Sequence, residues 1–514
     1  MAVDSLRETR HINRISTQDL GVVWSAQSYR ADVTAALRKI RSMTWRPLAQ
    51  LCSNVIGPGP HPTFTSTGHP CLKTRNVLGV VVDASEVDFV EHSDTARWPH
   101  YCIEREDLVL NVTGAGSIGR VGMYFGSDLP LTNQHLARVS IGPGADAAFV
   151  CAFLSSWWGE RALEQGISGS TGQLNLVNEH VRQVPVPTPD IAAQRYIGDK
   201  VRQADRLRER ARRLEKDVAA IHAKHIVLPI GIDFAKRTRR LPFRSLTERL
   251  DAHFYPSAVE QYFRQLGGSI RSLDDLSTVV INGQSQPESE EGVLQATVAN
   301  LGRSFVEGAL RTVKRPTDGA RALALHDLLL CNAAHNKSYI GRDVTYSQLE
   351  GPYPSTEVMV VRVDREQVPA SFIRQYLKTQ IGYLQIQSTI RGITAHSYPG
   401  DVKSIEIPIP SVPDTERGAW FATDDTMLIA GRCADAAKVL TIIATVLVEQ
   451  LIEGRLTEAD LVAAQKALEM GDRSADRTIL QSLRRNDGPD ATPVIPDLDG
   501  LYALLDEPDG EKDR

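Results

Sequence analysis

The sequence predicts an α+β chain made by tandem duplication: a β-rich body followed by a long helix, twice over, with the two long helices paired as an antiparallel coiled coil. Three observations lead there. A strap of spaced prolines, Val184-Pro185-Val186-Pro187-Thr188-Pro189, gives way at Gln194 to a heptad pattern. Its apolar positions are Ala204, Leu207, Ala211, Leu214, Val218, Ile221, His225 and Leu228, on alternating steps of three and four. A second strap, Ile405-Glu406-Ile407-Pro408-Ile409-Pro410-Ser411-Val412-Pro413, precedes the same spacing at Ile429, Cys433, Ala436, Leu440, Ile443, Leu447 and Gln450. Short stretches also recur in one order at an offset near 220 to 226 residues.

Each proline fixes φ and removes a backbone donor, so the straps can be neither helix nor central strand. The first helix carries Arg202, Arg206, Arg208, Glu209, Arg210, Arg212, Arg213, Glu215 and Lys216 between its apolar positions. A seam that narrow needs a partner helix. The second helix offers a broader apolar face, adding Val439, Ile442, Val446 and Leu451. The packing positions expected are Leu207, Leu214, Val218 and Ile221 on the first helix, with Leu440, Ile443 and Leu447 on the second.

The recurring stretches extend over both bodies. Leu20 to Tyr29 aligns with Leu246 to Tyr255, and Trp45 to Leu51 with Ser269 to Leu276. Glu106-Asp107-Leu108-Val109-Leu110 aligns with His326-Asp327-Leu328-Leu329-Leu330, and the pair Phe149, Gly159 with Phe372, Gly382. Each copy opens with a short helix (Ala31 to Arg41; Ala258 to Leu266). Strands are expected at Val77 to Val82, Asp107 to Val112, Val121 to Phe125, Asp327 to Cys331 and Thr356 to Val363, where β-branched and apolar runs lie between turn residues. The domain plan is a first body over 1–190, a helix over 191–228 and a linker over 229–245. A second body over 246–413, a helix over 414–456 and an extension over 457–514, helical over about 457–484, complete it. The acidic end of the extension, about Asp487 to Asp513, is expected to be disordered.

At 514 residues with 42% hydrophobic and 24% charged residues, the chain has room for two to four domains. Its net charge of −5 argues for no polyanion overall, so any nucleic-acid surface must come from local segregation of charge, as at Lys236 to Arg240. No apolar run is long enough to span a membrane and the N-terminus has no signal-peptide core; the expected location is cytoplasmic. The six cysteines form neither a CxxC pair nor a zinc spacing, so no metal is expected.

Gly114-Ala115-Gly116-Ser117-Ile118-Gly119 matches the dinucleotide fingerprint in letters only. The next stretch, Arg120 to Gly126, reads as a strand rather than a helix, and no acid stands about 20 residues on. A glycine-rich turn presenting Ser117 and Arg120 is the better reading. No phosphate loop, HExxH or amino-methyltransferase tetrad is present, so no catalytic residue is assigned. Polar and basic residues do gather in loops of the two bodies. In the first these are Asn111, Thr113, Ser117, Arg120, Asn133, Gln134, His135, Arg138, Ser170, Thr171, Gln173 and Asn175. In the second they are Asn332, His335, Asn336, Lys337, Arg342, Arg391, Thr394 and His396. Amides can bond adenine bidentately and Arg or Lys can take guanine, so two such sets suit a DNA-binding face.

The ordered set resembles the specificity subunit of type I restriction–modification systems over roughly residues 20 to 456. The resemblance rests on Asp107 to Leu110 leading to Gly116-Ser117-Ile118-Gly119-Arg120, on Thr132-Asn133-Gln134, and on Gly169-Ser170-Thr171-Gly172-Gln173-Leu174-Asn175. The strap, Gln194 and the exit Leu451-Ile452-Glu453-Gly454-Arg455-Leu456 complete it. The second copy departs from the pattern, with Cys331-Asn332-Ala333-Ala334 at the turn and Thr394-Ala395-His396 in place of Thr-Gly-Gln. The resemblance implies a non-catalytic subunit whose two target-recognition domains each read half of a split site on double-stranded DNA. The long helices would serve as spacer and as docking for two methyltransferase subunits, with restriction subunits joining; S-adenosylmethionine, ATP and Mg²⁺ would belong to those partners. Three alternatives stay open: a protein-assembly scaffold that never touches DNA, an enzyme with an unfamiliar site in one body, and a specificity factor of another phage-defence modification system.

Overall fold

The computed structural model describes residues 13–169, 174–236, 238, 240–243, 246, 249–266, 268–317, 321–484 and 492–507. It divides into two compact units, one of residues 1–208 with 435–514 and one of residues 209–434. Both boundaries fall inside the long helices, Ile191–Ala223 and Asp414–Glu453, so each unit owns a part of both.

In the first unit the helix Ala31–Arg41 buries Val33, Ala36, Leu37 and Ile40. The central sheet has three antiparallel strands, with Leu108–Asn111 between Val121–Met123 and Leu136–Val139. All four residues of the middle strand are buried, as a strand covered on both faces requires. Val77 to Val82 is not a strand; it runs irregularly past Gly79 and makes only an isolated bridge from Val81 to Met123. Gly122 explains the close approach, since a Cβ there would lie 2.7 Å from the Gly79 carbonyl oxygen. Two helices, Ala147–Leu154 and Trp157–Glu164, come next, and then the strap. Pro185–Pro187 pairs antiparallel with Trp45–Pro47, a two-stranded ribbon in which missing proline donors cost nothing on the open edge.

The second unit repeats this order. Its central sheet has four strands: Ser277–Asn282, Val358–Val363, Leu328–Cys331 and Val344–Tyr346. Helices Ala370–Leu377 and Gln380–Ser388 come after it, and the strap Glu406–Ile409 pairs antiparallel with Ser269–Ser272.

The duplication reaches single hydrogen bonds. Glu106 and His326 both take a positive φ, 67° and 70°, which is costly for either side chain. The aspartate after each accepts from the backbone three residues earlier, Asp107 from Glu104 at 2.7 Å and Asp327 from Ala324 at 2.8 Å. Asn76 and Asn300 each close a capping box and give their amide N–H to two loop carbonyls. The Tyr29 and Tyr255 hydroxyls each donate to the carbonyl six residues back, both at 2.8 Å. Ser156 and Thr379 cap the second helix of each pair on the N–H of Gly159 and Gly382. A Cβ at either glycine would run into the preceding helix, at the Phe153 and Tyr376 carbonyl oxygens. Gly159→Ala and Gly382→Ala are therefore each expected to cost about 1–3 kcal/mol in chemical denaturation. Equal and mild effects below about 0.5 kcal/mol, the range of ordinary surface substitutions, would deny the shared packing.

The long helices run antiparallel within each unit. In the second, His225 lies 3.7 Å from Glu416, the His222 ring 6.5 Å from that of Trp420, and Arg210 acts electrostatically on Cys433. In the first, the Asp190 N–H donates to Glu458 at 3.0 Å, and Gln203 and Leu440 line one cavity. Ala204, Leu207, Ala211, Val218, Leu440, Ile443 and Leu447 are buried, while Leu214 and Ile221 are half-buried against the second unit's core. Leu228 is not part of the seam, because the helix has ended at Ala223 and its side chain is 68% exposed. Ile442 likewise faces outward, at 40%.

Only one element of the extension, Leu498–Asp506, is folded where an acidic, proline-rich composition suggests disorder; residues 485–491 and 508–514 of that stretch lie outside the described residues. Helices Glu458–Glu469, Ser474–Ser482 and Leu498–Asp506 bury Leu461, Ile479, Leu480, Leu501 and Tyr502 in the first unit. Asp476, buried, accepts from Lys200 and Tyr196 at 2.7 Å each and from Tyr502 at 2.6 Å.

Candidate nucleic-acid interface

In the first unit the middle strand runs into the glycine turn. Gly114, Gly116 and Gly119 have φ of 107°, 77° and 83°, conformations that glycine alone adopts without strain. Gly119 N–H closes the turn on the Asn111 carbonyl at 2.8 Å, and the next strand starts at Val121. The turn leaves Arg120 exposed, its guanidinium on the Gly116 carbonyl at 2.8 Å, and Ser117 half-buried over Thr113. Beside it, His135 has both ring nitrogens engaged: Nδ1 with Thr113 Oγ1 at 2.6 Å and Nε2 with Gln134 Nε2 at 3.0 Å. An amide N–H donating to Nε2 leaves the ring proton on Nδ1, facing the threonine. Gln134 Oε1 is buried with no protein donor.

A second loop is tied over this turn. Asn175 bridges to Thr113, and the Leu176 N–H donates to the Val112 carbonyl at 2.8 Å. Ser170, Thr171 and Gln173 lie outside the described residues. The second unit has the same tie: Ala333 bridges to His396, and the Ser397 N–H donates to the Asn332 carbonyl at 2.8 Å. His335, Asn336, Lys337, Thr394 and Arg391 are exposed there, with His396 half-buried. In both units, therefore, two loops far apart in sequence meet at corresponding places. Neither pair carries a carboxylate between residues 111 and 120, 332 and 342, or 391 and 398.

Several expected contact residues serve the fold instead. Asn111, Asn133 and Asn332 are buried; Asn133 Oδ1 accepts from the His135 N–H, and Asn332 donates to the Thr356 carbonyl at 3.0 Å. Arg138 is held by Asp107 at 2.6 Å and Glu104 at 2.9 Å, just as Arg362 is held by Asp327. Arg342 pairs with neighbouring Asp343 and covers the Tyr339 ring. Of the basic residues on the first long helix, Arg202 is bound by Glu106, Asp146 and Asp199. Three exposed residues beside the loops, Tyr339, Ile393 and Tyr398, carry no signal in residue spacing.

One buried constellation has the residue types of a hydrolase. His222 Nε2 lies 3.1 Å from Ser371 Oγ, and Ser371 also meets Thr423 at 2.9 Å. Yet Asp424 accepts from the backbone of Ala370 and Ser371 and from Arg365, while His222 Nδ1 has no partner. The group is sealed, with His222 and Asp424 at 0% and 1% exposure, so substrate has no access. Burial pushes the imidazole down from 6.5 to about 4; neighbouring Asp424 raises it and His225 lowers it. The unfolded chain therefore takes the proton first on acidification. The neutral ring's contribution is whole above pH 6.5 and is lost as pH falls through about 4. The loss amounts to about 1.4 kcal/mol per pH unit. His222→Gln should flatten that limb of the pH–stability curve in urea melts; an unchanged slope would contradict the burial argument.

Among the described residues, no three His, Cys, Asp or Glu side chains gather as a metal site, and no helix is long and apolar enough to cross a membrane. All six cysteines are free. No family model matches the sequence, and no curated protein matches it. Among solved structures, the chain is similar to a type I restriction–modification system S subunit from M. genitalium. Identity there is 12%, with 82% of this chain and 96% of that one covered, at a TM-score of 0.39. It is also similar to the HsdS subunit from Thermoanaerobacter tengcongensis, at 15% identity, 80% and 97% coverage and a TM-score of 0.26. A third similar chain belongs to a structure of complex assembly and conformational transition in the type I R-M system. There the identity is 14%, the coverage 80% and 98%, and the TM-score 0.27.

Proposed function

We propose that this chain is the non-catalytic DNA-reading subunit of a type I restriction–modification complex. Two recognition domains, over 1–190 and 246–413, each read one half of a bipartite duplex site. The paired helices dock two methyltransferase subunits and, through them, restriction subunits. S-adenosylmethionine, ATP and Mg²⁺ are held by those partners.

The observation that carries this reading is the repeated pair of tied loops, each supplied with amides, hydroxyls and imidazoles and with an exposed cation, Arg120 in the first and Lys337 in the second. A duplex demands that chemistry: positive or neutral polar groups near phosphates, and bidentate donors and acceptors at base edges. Two such sets in one chain suit two half-sites. Selection of duplexes from a randomised pool by the full chain, co-expressed with its methyltransferase partners, tests it. The expected result is two short conserved blocks separated by a fixed unconserved gap. Binding without sequence preference, or methyl transfer or cleavage by the chain alone, would refute the reading.

A further inference from the structure

The loop Arg391–His396 holds an apolar residue where nothing in the fold rewards it. Ile393 is 101% exposed, the most exposed large hydrophobic residue among the described residues. The loop is not a loose one. Its ends exchange backbone hydrogen bonds, Arg391 N–H to the His396 carbonyl at 2.7 Å and the reverse at 3.0 Å. Gly392 and Ala395 take φ of 74° and 28°, and the second of these is unfavourable for a residue with a Cβ. Ala395 is buried at 1%, so the loop turns one apolar side chain inward and holds the other outward. Arg391 is clamped to Asp401 at 2.6 Å, and Arg249 grips the same carboxylate from beneath at 3.3 Å. The Ala333–His396 bridge ties the base of the loop to the other polar loop.

Backbone strain and an ion cluster anchored on buried Asp401 and Arg249 thus brace a loop that holds a branched aliphatic side chain in water, amid groups suited to base edges. The base-edge partner for an aliphatic group is the C5-methyl of thymine, which marks an A·T pair in the major groove. We infer that Ile393 reads a thymine methyl in the half-site bound by the second recognition domain. His396 offers only ring donors and acceptors and Thr394 a single methyl beside its hydroxyl, whereas Ile393 presents a wholly apolar side chain. The inference rests on the DNA-reading proposal above.

The experiment uses the full chain with its partners and the duplex that it selects from a random pool. Each thymine of the second half-site is replaced by uracil, one at a time, which removes the methyl and keeps every hydrogen bond. At one position, binding should weaken about four-fold, the factor that burial of one methyl-sized group amounts to. Ile393→Ala should weaken the thymine duplex by a similar factor and abolish the difference between thymine and uracil. Ile393→Val should retain part of it. If the selected sequence is bound but no uracil substitution is felt, or Ile393→Ala keeps the uracil penalty, the inference fails while DNA reading stands. A half-site without an A·T pair also overturns it. So does a 2-aminopurine signal of base unstacking that Ile393→Ala removes, since that marks a wedge between bases. A pool that yields no preferred sequence defeats the reading itself.

Discussion

Asp476→Ala is expected to release the C-terminal extension from the first unit at a cost of about 3–5 kcal/mol, because it leaves the Lys200 ammonium buried without its counter-charge. The side chains of Lys200 and Asp476 are only 3% and 2% exposed, and the carboxylate also takes the hydroxyls of Tyr196 and Tyr502. Burial alone would raise the carboxyl's proton affinity. The Lys200 charge and the hydrogen bonds from Lys200, Tyr502 and Tyr196 outweigh it and hold the group below the usual carboxylate range. Its stabilisation is therefore full above the ordinary value of 3.8 and is lost as pH falls through the depressed one. Hydrogen exchange should show Glu458–Glu469, Ser474–Ser482 and Leu498–Asp506 losing protection together in the variant. Protection of these three helices at wild-type level would mean that the ion pair is not what fastens them. The double variant Lys200→Met, Asp476→Leu should recover much of the loss, since an apolar pair of similar volume avoids the desolvation cost.

This cluster is not legible in the sequence, for a physical reason. Lys200 reads as one cation among many on a charged helix face, and its partner stands 276 residues away. The composition of the tail points to disorder, yet Leu498, Leu501, Tyr502 and Leu505 sit at helical spacing among the acids, a signal that net charge obscures. Arg138 is hidden for the same reason as Lys200: its partner, Asp107, stands 31 residues away, just before another strand, so a basic residue next to a polar stretch looks available. His222 lies one position beyond Ile221 in the heptad pattern, on a flank that the second unit's body covers. A two-helix seam accounts for one face of the first helix, whereas its buried residues also include Ala193, Tyr196, Ile197 and Val201. What the sequence does carry is the repeat. Short marks such as the tyrosine of Tyr29 and Tyr255, or the glycine of Gly159 and Gly382, persist because each fills one geometric need that few residues meet. The pairing of distant loops comes from the repeat, not from any single motif.

Replacement of Gln134 and Arg120 by alanine is expected to relax the sequence requirement of one half-site only. Arg120 stands exposed at the glycine turn, and Gln134 is the half-buried amide at the end of the Thr113–His135 chain, with an acceptor that no protein group satisfies. A bidentate base contact is worth about 1–3 kcal/mol of discrimination, so preference at the affected base pairs should fall by roughly 5- to 150-fold. The other half-site should keep its full preference if, as proposed, it is read by the loops of the second unit. The two failure modes read differently. A uniform loss of affinity on every duplex, with the salt dependence reduced by about one unit for each charge removed, would place Arg120 on a phosphate. A change in both half-sites at once would deny that the two copies read independently. That independence is what duplication makes available: each loop pair is braced by hydrogen bonds within its own unit, at the Thr113–Asn175 bridge in one and the Ala333–His396 bridge in the other. A mutation that alters one brace has no shared residue through which to disturb the second.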